Sequence, residues 1–113
     1  MERESASGIV EVKCRYGKDH PHSIDELCVF FPQIQGYMEI LDVEFCHLVS
    51  YTPKKTSVLE LKRDRVFFGL MLSVLEDFRE CLRLGVVPPP THSLIPTLQS
   101  MAKETSKWKL AKN

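Results

Sequence analysis

The sequence is short of several things, and each shortage excludes something. It has no surplus of charge of either sign: fifteen Lys and Arg stand against fifteen Asp and Glu in 113 residues. A protein that holds DNA by overall charge is much more basic. Any contact with nucleic acid must therefore rest on a local arrangement of cations. No run of about 18 apolar residues occurs, so no transmembrane helix and no membrane partner are expected. The stretch Met1 to Gly8 is polar and charged, so no secretory signal is expected. The four cysteines, at positions 14, 28, 46 and 81, contain no CxxC pair. That excludes the common zinc-site spacing and a dense disulfide framework. Each cysteine lies beside apolar neighbours, which predicts reduced, buried thiols and an intracellular setting. No internal repeat is present.

What remains is ordinary globular composition, 43% hydrophobic and 27% charged, which argues against wholesale disorder and allows one modest core. Residues 1 to 7 read as a frayed lead-in. The run from Ile9 to Cys14 reads as a strand, with Ile9, Glu11 and Lys13 on one face and Val10, Val12 and Cys14 on the other. Gly17, Asp19, Pro21 and Ser23 mark a loop, and Ser23 or Asp25 can cap a short helical turn. Residues 31 to 42 read as a helix with Pro32 in its first turn and Phe31, Ile34, Met38 and Leu41 on its apolar side. Gly36 costs that helix about 1 kcal/mol relative to Ala, which predicts a close approach there. Glu44 to Tyr51 and Ser57 to Leu61 read as two strands joined in a hairpin by a turn over Lys54 to Thr56. Arg65 to Leu84 is the longest periodic segment, with Phe67, Leu70, Met71, Val74, Leu75, Phe78, Cys81 and Leu82 at helical spacing and Gly85 as its stop.

These elements predict an α/β fold: a small mixed β-sheet of about three strands, a right-handed crossover helix with the first two strands parallel, and a long C-terminal helix packed on the sheet. Pro88-Pro89-Pro90 sets a break, so the expected organisation is a domain over residues 1–87 and a tail over 88–113. That tail carries Lys103, Lys107, Lys109 and Lys112 against one acid, Glu104, and reads as mobile or as a short helix.

The sharpest chemical feature is Glu11-Val12-Lys13. Two residues of strand span about 6.6 Å, and both charged side chains leave one face. A carboxylate there can bind a hard divalent cation, and the ammonium beside it can stabilise charge on a phosphate oxygen. On an isolated strand, the same tripeptide is a surface ion pair. Other motifs follow it: Phe30-Phe31-Pro32-Gln33-Ile34-Gln35-Gly36, then Phe45 to Pro53, then Val58 to Leu61. In this order, over roughly residues 8 to 84, the sequence resembles the YqaJ-type viral recombinase nucleases, relatives of lambda exonuclease in the PD-(D/E)xK superfamily. The resemblance implies a partial restriction-endonuclease-like fold and a metal-dependent DNA nuclease that hydrolyses phosphodiesters at linear duplex ends in recombination. Mg²⁺ or Mn²⁺ is the implied cofactor, held by Glu11 and the backbone carbonyl of Val12. Lys13 falls on the catalytic lysine, Gln33 on the glutamine that faces the site, and Gln35 on the second glutamine of that motif. Arg15, Gln35, Lys54 and Lys55 are the candidate DNA contacts, and the rings formed by some family members imply self-association.

The sequence also departs from that pattern. The family carries a second metal carboxylate, an Asp, on a strand before the Glu. No Asp precedes Asp19 here, and Glu2 and Glu4 are the only earlier acids. Arg15 stands where the family has Pro. The expectation is either the C-terminal half of a split nuclease or a reduced, inactive descendant. The competing class is an interaction module, in which the strand over residues 8–14 is a sheet edge open to a completing partner chain. Of the histidines, His20 and His22 fall in the loop over the expected site, His47 in an apolar strand as a hydrogen-bonded core residue, and His92 beyond the proline break.

Overall fold

The computed structural model describes residues 7–111; Glu2, Glu4 and Lys112 lie outside them. In chain order the elements are β1 (Gly8–Cys14), α1 (Ile24–Leu27), a 3-10 turn (Cys28–Phe30), α2 (Phe31–Leu41), β2 (Phe45–Tyr51), β3 (Thr56–Lys62), α3 (Arg65–Leu84), α4 (Ile95–Lys103), a second 3-10 turn (Thr105–Lys107) and β4 (Lys109–Leu110). The strands form one mixed sheet in the order β1-β2-β3-β4. β1 runs parallel to β2, and the other two pairs are antiparallel. The parallel pair requires a crossover, which α1 and α2 provide. The α/β reading therefore holds, with a fourth strand that was not expected.

Local chemistry sets the element ends. Ser23 and Glu26 form a reciprocal capping box at the start of α1. Asp64 accepts the Phe67 N–H (2.9 Å) and caps α3, which stops where Gly85 turns left-handed at φ 68°. Asp42 ends α2 at φ 54°, a conformation that Asp tolerates better than most residues. Arg63 then stitches the end of α2 to the end of β3. Its side chain is 6% exposed and ion-paired with Glu39, Asp42 and Glu44. That ring of carboxylates pushes the Arg63 pKa upward, Glu39 contributing most.

The core lies on one side of the sheet. Cys46 and Leu48 from β2 and Leu59 and Leu61 from β3 meet Phe31, Ile34 and Met38 from α2. Phe31 packs edge-on against Phe67 of α3, with ring centroids 4.7 Å apart. The other side of the sheet carries no helix among the described residues, and Val10 and Val12 are 67% and 51% exposed there.

Four expectations need correction. Residues 88–111 are not a separate tail: Leu98 and Ala102 of α4 are buried in the same core as Phe31, and Trp108 is buried with its Nε1–H donating to the Ala102 carbonyl (2.8 Å). His92 accepts the Leu94 N–H and pairs with Asp77, pinning the proline-rich connection to α3. α3 packs chiefly on α2 and α4 instead of on the sheet, so Leu75, Phe78 and Leu82 at its far end remain exposed. Gly36 meets nothing where a Cβ would stand, so no close approach requires it. Cys28 and Cys46 are buried as expected, but Cys14 is exposed because it points to the open side of β1.

Candidate functional site

The alternation of β1 turns Glu11 and Lys13 toward the helices. The crossover then lays the start of α2 beside them. The Lys13 ammonium donates to Gln33 Oε1 at 2.9 Å, stands 3.7 Å from Glu11 Oε1, and lies 4.3 Å above the centre of the Phe30 ring. Glu11 from the same strand, and Phe30 and Gln33 from beyond the loop, thus hold one ammonium from three directions. A carboxylate, an amide oxygen and an aromatic face each attract the ammonium. Glu11 and Lys13 are partly exposed and Gln33 is exposed, so the group is open to a ligand.

A second layer lies beneath it. Ser50 stands opposite Lys13 in the parallel register and is fully buried. Its hydroxyl accepts the His22 backbone N–H at 2.8 Å and lies 2.6 Å from His22 Nδ1. The His22 ring meets Phe30 edge-on, so the loop before α1 supports the ring beneath Lys13. Burial, aided by the charge of Arg15, holds the His22 pKa below 6.5, while Glu26 opposes it. On the other side of Glu11, burial and the charge of Glu11 push the Cys46 thiol up to about 11, so it stays a thiol. Ser50 was not singled out in the sequence. Its inward position after Cys46 and Leu48 was the available signal: a hydroxyl in an apolar file needs a partner.

The remaining candidates divide. Lys54 and Lys55 are exposed on the β2–β3 turn, at the Lys13 end of the sheet, with Lys54 3.6 Å from Asp19. Arg15 is not free to meet DNA, because its guanidinium clamps Glu26 and the Pro21 carbonyl and so fastens the loop to α1. Gln35 is 1% exposed. Its amide donates to the Lys62 carbonyl (3.0 Å) and accepts the Asp64 N–H (2.7 Å), so it ties α2 to the β3–α3 turn and cannot reach a nucleotide. His47 is hydrogen-bonded as expected, to Glu60 at 3.1 Å, but on the open side of the sheet instead of in the core.

As a metal site the group is incomplete. Glu11 offers one carboxylate, and no cluster of three His, Cys, Asp or Glu side chains able to hold a metal forms among the described residues. Mg²⁺ demands a near-octahedral oxygen shell, so Glu11 with the Val12 carbonyl does not make one.

The fold and site define a small mixed α/β protein with a Glu-Lys-Gln group at the C-terminal end of an edge strand. No protein-family model, curated protein or solved structure matches the chain.

Proposed function

We propose that the chain is a nuclease-type domain of the PD-(D/E)xK kind, resembling the YqaJ-type recombinase nucleases, and that it acts on phosphodiesters of linear duplex DNA. One observation carries this reading: Glu11, Lys13 and Gln33 meet around a single ammonium. In this reading, Lys13 stabilises charge on a phosphate oxygen, Gln33 fixes the direction of its amine, and Glu11 offers an oxygen ligand to a divalent cation. The rest of the cation's shell has to come from outside the described residues, and the edge of β1 next to Glu11, which no described strand pairs, is where a strand could deliver it. The test is digestion of linear duplex DNA with Mg²⁺ or Mn²⁺. Wild type should cut and lose activity in EDTA, and Lys13→Ala should cut about a hundredfold more slowly. Equal rates in the two proteins, or no cutting by wild type, would sink catalysis.

The second reading is a catalytically incomplete remnant that binds DNA or protein. The edge of β1, unpaired among the described residues, and the exposed Val10 and Val12 favour it, since such an edge is a template for another chain's strand. It predicts retained association without cutting in any metal. For membranes, the finding is narrow: no helix among the described residues is long and apolar enough to cross one.

A further inference from the structure

The edge of β1 carries a pattern of its own. At its two ends the strand bonds β2 through odd-numbered residues. The Ser7 carbonyl accepts the Glu44 N–H at 2.9 Å, and the Arg15 N–H donates to the Tyr51 carbonyl at 2.8 Å. The register between them is regular. Backbone groups alternate along a strand, so Ile9, Glu11 and Lys13 also face β2. Gly8, Val10, Val12 and Cys14 then turn their N–H and C=O groups to the other edge, which no described strand pairs. The side chains of Val10, Val12 and Cys14 are exposed on the open side of the sheet.

Such an edge is a template for another strand, and the side chains decide which strand fits. In an antiparallel pair, residues directly opposite share a side of the sheet. A second copy of β1 can therefore be tried register by register. A two-fold axis at Glu11 sets glutamate against glutamate. An axis at Lys13 sets lysine against lysine, and one at Cys14 sets Lys13 against Arg15. Each of these opposes like charges, which is destabilising. An axis at Val10 sets Glu11 against Ile9 and Lys13 against Ser7, with no charge matched. An axis at Val12 sets Glu11 of each copy against Lys13 of the other, Val12 against Val12, and Val10 against Cys14. In this register, Val12 exchanges both backbone hydrogen bonds with its counterpart, and Glu11 and Lys13 form the closer, non-hydrogen-bonded pairs. Lys13 is already held in place by Gln33 and Phe30, and both it and Glu11 remain partly exposed.

We propose that the β1 edge binds a second copy of this chain, antiparallel, with the two-fold axis at Val12. The inference rests on the second reading above, in which β1 accepts a strand, and it names that strand. The two sheets then become one. A two-fold axis normal to the sheet keeps the helices of both copies on one side and joins their exposed valines on the other. Each Lys13 gains the other copy's Glu11, so the group that offers one carboxylate in a single chain holds two in the dimer.

Sedimentation equilibrium of the full chain tests this. Wild type should form a dimer. Glu11→Lys and Lys13→Glu each oppose like charges twice and should weaken self-association about tenfold or more. An equimolar mixture of the two variants restores the opposite pairs and should form a heterodimer, which a folding defect would not allow. Val12→Pro removes an N–H that faces the edge and that β2 does not use, so it should abolish the dimer and leave the circular dichroism spectrum unchanged. The Val10, Val12 and Cys14 amides should exchange slowly in the dimer and fast after dilution. A monomeric wild type with fast exchange at these amides defeats the proposal and leaves the edge open to a different partner. A monomer with slow exchange there defeats the proposal and the second reading together, because the chain's own residues cover the edge. A dimer that neither charge variant weakens, or a mixture that stays monomeric, also overturns the proposal.

Discussion

The two sides of the sheet are built from the same strands yet live in different environments. On the covered side, Cys46, Leu48 and Leu61 are fully buried under α2, and Glu11, Lys13 and Ser50 continue the same files toward the candidate site. On the open side, Val10, Val12 and Tyr51 stay exposed, and the polar pair His47–Glu60 lies between strands. Alternation alone produces this split. The chain thus concentrates its buried core and the Glu11–Lys13 group on one side, and leaves Val10, Val12 and Tyr51 exposed on the other. Substitutions should expose the asymmetry. Phe31→Ala removes a fully buried ring that touches Phe67 and lies 5.8 Å from the Trp108 ring. It should cost about 3–5 kcal/mol, a large share of the stability of a small domain. Val12→Ala should change stability by no more than about 0.5 kcal/mol. Urea melts of both variants decide the matter. A Val12→Ala cost close to that of Phe31→Ala would mean that the open side is covered in solution.

A finer contrast lies within α2. Gln33 and Gln35 are two residues apart, hence about 200° apart around the helix. One reaches out to Lys13, and the other turns inward to the Lys62 carbonyl and the Asp64 N–H. Gln35→Leu should destabilise by about 1–3 kcal/mol, because it leaves a buried acceptor and a buried donor without partners. Gln33→Ala should leave the melt within about 0.5 kcal/mol of wild type while lowering any cutting activity. A reversed order of the two costs would mean that the helix is rotated from the orientation described.

This pair also shows what the sequence makes legible. The bounds of α3 follow from Asp64 and Gly85, and the two sides of β1 follow from strand parity, because both signals are local. Gln35 was misread as a DNA contact although a local signal existed: Phe31, Ile34, Gln35 and Met38 follow i, i+3, i+4, i+7, so the glutamine sits inside the apolar stripe. The packing of residues 88–111 was not legible. Leu98, Ala102 and Trp108 form no strong period, the break at Pro88-Pro89-Pro90 separates them from α3, and β4 has only two residues. Their place depends on a core that only the long-range fold assembles. The Lys13 group was half legible: same-side placement of Glu11 and Lys13 is local, whereas the meeting with Gln33 requires the crossover. For Gln33 the resemblance supplied what pattern could not.

The smallest expected effect concerns the loop that closes the covered side at its Lys13 end. His22 is held at Ser50, and burial lowers its pKa below 6.5, with Arg15 acting in the same direction. The unfolded chain, where histidine titrates near 6.5, then binds more protons than the native state at pH values between the two pKa values. Stability therefore rises with pH across that window. The contribution is complete above about 6.5 and is lost as pH falls through the lowered native value. Urea midpoints measured from neutral to mildly acidic pH should fall for wild type, and the fall should flatten in His22→Gln. Carboxylates that titrate at lower pH act equally on both proteins, so the difference between the curves isolates the histidine. Parallel curves would mean that the loop does not bury His22 in solution and that Phe30 lacks this support beneath Lys13.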